Sequence, residues 1–121
     1  MQFIVKAYDG PDMLKKRMEV RPRHLEGMDK LKEHIICAGG LMDEEGKMKG
    51  SVLVVEFEDR AALDSYLASE PYVVEHVWAQ VEVEILNVVI VNGQKVRKEE
   101  MKSMCDWRNT SANVSGVRVR L

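Results

Sequence analysis

The stretch Arg21-Pro22-Arg23-His24-Leu25 places an imidazole three residues behind one arginine and two residues behind a proline. Proline is tolerated in the first turn of a helix, where its missing N–H would have no partner. The stretch therefore predicts a helix starting at Pro22, with His24 in its first turn. The positive end of that helix disfavours imidazolium and keeps the ring neutral, the form a general base requires. An acid beside it would fix the tautomer, and Asp9 and Glu70 are the two candidates. Arg17 and Arg21 lie one turn apart and suit a carboxylate or phenolate. Tyr72 offers a hydroxyl or a stacking face, and Ser51, beside Gly50, a hydrogen bond to a substrate oxygen. Taken singly these residues have plain readings too: a turn aspartate, solvated arginines, a glutamate flanking a helix end, a tyrosine filling the core.

These side chains need elements to bring them together. Gln2 to Tyr8 alternates and ends at Asp9-Gly10-Pro11, a strand followed by a turn. Asp12 to Glu19 allows a short helical turn before the helix from Pro22 to about His34, whose apolar stripe is Leu25, Met28, Leu31 and Ile35. Ile35 to Ala38 reads as a strand ending at the flexible corner Gly39-Gly40, and Asp43-Glu44-Glu45-Gly46 as a polar turn. Ser51 to Phe57 is apolar on both faces, so the strand needs cover on both sides. Asp59 suits the N-cap of a helix carrying Ala62, Leu63, Tyr66 and Leu67, which must stop before Pro71. Val77 to Val91 is a further strand region, closed by the turn Asn92-Gly93.

The order β-α-β-β-α-β is the ferredoxin-like pattern of an α+β fold with an antiparallel sheet. Right-handed crossovers would gather Asp9, His24, the Gly39-to-Gly50 hairpin and Glu70-Pro71-Tyr72 at one rim. Residues 1–94 form the expected domain. Residues 95–121 form a C-terminal extension, either a flexible tail or an added helix and strand.

The chain has 121 residues, 45% hydrophobic and 31% charged, which fits one soluble globular domain. A net charge of -2 provides no general attraction to nucleic acid or an anionic membrane. Cys37 and Cys105 stand in no metal spacing, and Met1-Gln2-Phe3 opens no signal peptide, so free thiols in the cytoplasm are expected. The eight methionines read as adaptable packing, and no cofactor or metal signature is present.

The residues Tyr8-Asp9, Leu14, Arg17, Arg21-Pro22, His24-Leu25, Ala38-Gly39, Gly50-Ser51, Ala62 and Pro71-Tyr72-Val73 together resemble the YciI-like (YCII-related) family of small dimeric α+β barrels. That family is similar in shape to muconolactone isomerase, and one branch resembles enzymes that remove chloride from chlorinated hydroxyquinols. The resemblance implies a homodimer, or a higher oligomer, whose paired sheets form a barrel with a pocket in each subunit. It also implies a His-Asp pair, carried onto His24 and Asp9. This chain has Gly39-Gly40 where the family commonly has Gly-Pro, Glu70-Pro71-Tyr72 for Asp-Pro-Tyr, and Glu75-His76 for small residues. The expected function is cofactor-free proton transfer, of lyase or isomerase type, on a small anionic, phenolic or enol-type molecule. The alternatives are a metabolite-binding module and a dimerisation module.

Overall fold

A computed structural model describes residues 1–96. Strand β1 (Gln2–Asp9) leads to helix α1 (Leu14–Lys30), and a 3₁₀ turn over Lys32–His34 leads into β2 (Ile35–Met42). Then follow β3 (Met48–Glu56), α2 (Arg60–Ser69), the one-turn α3 (Pro71–Val74) and β4 (Trp78–Leu86). Two short strands, β5 (Ile90–Val91) and β6 (Gln94–Lys95), pair around Asn92-Gly93. Both turn residues have positive φ, 53° and 76°, as a tight two-residue hairpin requires. Lys95 pairs with Ile90, so this hairpin spans residue 94; the rest of the expected extension lies outside the described residues.

The four long strands form one sheet in the order β2-β3-β1-β4, and every neighbouring pair is antiparallel. This is the ferredoxin-like arrangement that the element order predicts. Phe3, Val5 and Ala7 of β1 sit opposite Val55, Leu53 and Ser51 of β3, and this face is buried. The helices supply Val20, Leu63, Tyr66 and Tyr72 to the same core. Ile4, Lys6 and Tyr8 point to the other face, in register with Val54, Val52 and Gly50.

Three local expectations change. Helix α1 starts at Leu14, eight residues before Pro22, so the proline lies inside it. Leu14 to Glu19 are strong helix formers, which lets the helix begin upstream and run through a residue with no N–H for the Met18 carbonyl. His24 is therefore mid-helix, not in a first turn, and lies away from the N-terminus of α1. The expected stripe holds at Met28, Leu31 and Ile35, which pack against the core, but Leu25 is 47% exposed and Arg17, Val20 and His24 are the most buried positions of α1. Finally, β2 runs through Gly39-Gly40, which pair with Val52 and Ser51, because a partner strand overrides glycine's weak strand preference. The anticipated cap is present: Asp59 accepts a hydrogen bond from the Ala62 N–H at 2.8 Å. Such a cap contributes about 1 kcal/mol.

Candidate functional site

Arg17 is the centre of the buried polar network, only 1% exposed. It projects from α1 toward the ends of β1 and β3. Its Nε donates to Asp9 Oδ2 at 2.9 Å, and its Nη2 donates to the Gly50 carbonyl and to Ser51 Oγ, each at 2.5 Å. Gly50 lets β3 lie close to β1 here, because an added Cβ would overlap the Ala7 carbonyl oxygen on that strand. The Arg17 guanidinium also lies over the Tyr72 ring, 4.6 Å from its centroid. Burial pushes the Asp9 carboxyl above its ordinary value, although the Arg17 charge pulls the other way. Losing one member of such a pair strands the other charge and costs about 3–5 kcal/mol.

Two helical turns further along α1, His24 lies between two partners. Its Nδ1 is 2.6 Å from Glu70 Oε1, and its ring stacks on Tyr72 with centroids 4.2 Å apart. Trp78 meets the imidazole edge-on at 6.2 Å. Glu70 is 1% exposed and closes α2 just before Pro71. Its Oε1 also accepts the Tyr72 backbone N–H at 3.2 Å, and its Oε2 accepts the Tyr66 hydroxyl at 2.6 Å. With Glu70 as a carboxylate, Oε1 accepts a proton from Nδ1, and in the neutral form of that ring Nε2 keeps its lone pair.

The acid bonded to His24 is thus Glu70, and Asp9 holds Arg17 instead. The His24–Asp9 pair implied by the resemblance is corrected on this point. The cause is topological: Asp9 ends β1 opposite Trp78, where it meets the long side chain reaching from Arg17, while Glu70 leaves α2 directly against mid-α1.

A cavity of about 480 Å³ opens beside this network. Arg17, Arg21, His24, Ser51 and Tyr72 line it, together with Gly39 and Gly40 of β2. Asp9 and Glu70 are not among its lining residues and support it from behind. Tyr72 is fully buried, with a hydroxyl that has no hydrogen-bond partner among the described residues. Burial raises its pKa against the opposing pull of Arg17 and Arg21, so the phenol stays protonated.

Some residues behave otherwise than their types suggest. Tyr66, which reads in sequence as part of an apolar stripe, bonds Glu70; the detectable signal was a tyrosine one turn before a glutamate on the same helix. Trp78, the first residue of β4, is 6% exposed and touches both aromatic rings of the site. His34 stacks on Phe57 at 4.5 Å and accompanies the sheet edge. Cys37 is a free, exposed thiol, and Cys105 lies outside the described residues. Among the described residues no group of three or more His, Cys, Asp or Glu is placed to hold a metal, and no helix is long and apolar enough to cross a membrane.

A four-stranded antiparallel sheet, helices on one face and a cavity between them define a ferredoxin-like α+β protein of the kind found in α+β barrels. Within that class the chain belongs to the YCII-related domain family, whose model matches residues 1–87. It is 33% identical over 91 residues to an uncharacterized protein of Haemophilus influenzae, covering 69% of this chain and 93% of that protein. It is 30% identical to protein YciI of Escherichia coli over the same shares of each chain. Among solved structures it is similar to 5-chloro-2-hydroxyhydroquinone dehydrochlorinase from Burkholderia phenoliruptrix AC1100, in complex with 2,5-dihydroxybenzoquinone. That match has a TM-score of 0.67 and 26% identity, and covers 72% of this chain and 94% of that one.

Proposed function

We propose that the chain is an enzyme moving a proton on a small anionic molecule of phenolic or enol type, with His24 as the base. The observation that carries this reading is the 2.6 Å His24–Glu70 bond at the cavity wall, which commits Nδ1 and leaves Nε2 as acceptor. A proton taken by Nε2 makes an imidazolium, and the buried Glu70 carboxylate beside it stabilises that charge. Arg17 spends Nε and Nη2 on Asp9, Gly50 and Ser51, which leaves Nη1 for a substrate oxyanion. Ser51 Oγ accepts from Arg17, so its own O–H remains to donate to substrate. Arg21 adds a second positive charge at the cavity, and the stacked Tyr72 and His24 rings offer a flat aromatic wall. The similarity to a dehydrochlorinase acting on a hydroxyquinol supports a substrate of that shape and charge.

The dimer belongs to the same proposal. Val52 and Val54 lie on the sheet face away from the helices, and Ile4 stands between them and β4. The hairpin beyond β4 adds the exposed Val89, Ile90 and Val91. A second copy covering this face removes the apolar surface from water.

The test uses 2,5-dihydroxybenzoquinone as ligand and 5-chloro-2-hydroxyhydroquinone as substrate, reading chloride release. His24→Ala is expected to keep measurable binding through Arg17 and to lower turnover by roughly 10²–10⁴-fold. Turnover that survives this substitution unchanged removes the imidazole from the mechanism. Binding of the quinone with no turnover by the unsubstituted protein would leave a metabolite-binding module in its place.

A further inference from the structure

The carboxylate that orients His24 must itself be held, and glutamate has one more rotatable bond than aspartate with which to drift. Backbone geometry restrains only one of its oxygens: Oε1 takes the Tyr72 N–H at 3.2 Å as well as the imidazole. The other oxygen is held by a side chain outside the cavity. Tyr66 lies one turn before Glu70 on α2, and its hydroxyl reaches Oε2 at 2.6 Å. The hydroxyl also lies 3.5 Å from the sulfur of Met28, one turn beyond His24 on α1, so the phenol is wedged between the two helices that carry the pair. Its ring is fixed in turn against Phe57, with centroids 5.9 Å apart.

We propose that Tyr66 is a positioning residue: by holding Glu70 Oε2 it presents Oε1 to His24 Nδ1 and so locks the tautomer that leaves Nε2 bare. This rests on the reading of His24 as the base, but it concerns a hydrogen bond that exists without substrate and can be measured without turnover. Tyr66 does not line the cavity, so its action passes entirely through Glu70. Both side chains are at least nine-tenths buried, so water cannot readily replace the phenol. The chain thereby makes a relay Tyr66–Glu70–His24, in which the phenol withdraws charge from one carboxylate oxygen and tunes the acceptor strength of the other.

The experiment is proton and nitrogen NMR of the imidazole in the full chain, comparing the unsubstituted protein with Tyr66→Phe and Ser69→Ala. Ser69→Ala is the control, since it also deletes a hydrogen bond of α2, from Ser69 Oγ to the Tyr66 carbonyl at 2.8 Å, without touching Glu70. The unsubstituted protein should show a downfield Nδ1–H resonance and a single tautomer. Tyr66→Phe should move that resonance or broaden it to loss and populate the second tautomer, whereas Ser69→Ala should leave it in place. An unmoved resonance in Tyr66→Phe reduces Tyr66 to a packing residue. If that variant does not fold, 3-fluorotyrosine placed at position 66 preserves the shape and alters only donor strength; the resonance should shift, and an unshifted one overturns the proposal. Chloride release plays no part in these readouts, so failure of His24 as a base and failure of Tyr66 as its positioner are separately visible.

Discussion

At the residue scale the site is organised by which acid meets which base. Arg17 and His24 both project inward from α1, and each takes one carboxylate from a different element: Asp9 from β1 and Glu70 from the end of α2. The division separates the tasks, with one pair building an anion receptor and the other a proton acceptor. The tyrosines provide a pH test of this environment. Burial is the first cause that raises Tyr66, followed by the Glu70 charge and hydrogen bond, and burial likewise raises Tyr72. A group that holds its proton more tightly when folded contributes its stability in full below its unfolded pKa of 10.0 and loses it as pH rises toward the folded value. Unfolding free energy should therefore fall steeply with pH above about 10. Absorbance of phenolate should show two of the three tyrosines ionising only as the chain unfolds. Tyr66→Phe should flatten the slope, and an unaltered slope would remove Tyr66 as a contributor.

At the element scale the feature to test is the proline within α1. Pro22 leaves the Met18 carbonyl without its helical partner, a cost of about 3 kcal/mol in a regular helix. The rigid ring recovers part of this, about 0.4–1 kcal/mol, by restricting the unfolded chain. Pro22→Ala should therefore stabilise the protein by about 2 kcal/mol in denaturant titrations, the difference of the two terms. A neutral or destabilising result would mean that the helix is bent to suit the proline and that the bend aims His24. The same helix shows why local reading misplaced the site. Hydropathy selects Leu25 as a core position, yet Leu25 is exposed and the neighbouring His24 is buried. A face that buries an arginine and a histidine carries too little hydrophobic contrast to be found by periodicity.

At the scale of the whole molecule the proposed pairing through the open sheet face is the feature to test. Lys6 on that face lies within 3.9 Å of Glu82 and 3.5 Å of Glu84, forming a charged strip beside the apolar Val52 and Val54. A charge placed among the valines would have to be buried unpaired if a second copy covers them. Val54→Glu should therefore shift the protein from dimer to monomer in sedimentation equilibrium, while Lys49→Glu, on an exposed side chain at the hairpin end of β3, should not. A monomer in the unsubstituted protein would refute the pairing, as would a dimer indifferent to Val54→Glu.

The order of elements, the polar turn at Asp43, the Asp59 cap and the Asn92-Gly93 hairpin were all legible in the sequence. Arg17, Arg21, His24, Ser51 and Tyr72, singled out in the sequence by residue type, are among the residues that line the cavity. Each of these depends on residue type or on neighbours a few positions away, and local propensity and alternation carry that information. Three-dimensional packing alone decided that the proline sits inside a helix, that the glycines of β2 continue a strand, and that Glu70 rather than Asp9 meets the imidazole. Those outcomes depend on contacts across distances such as the 46 residues separating His24 from Glu70, where an angstrom of helix placement selects one carboxylate over another.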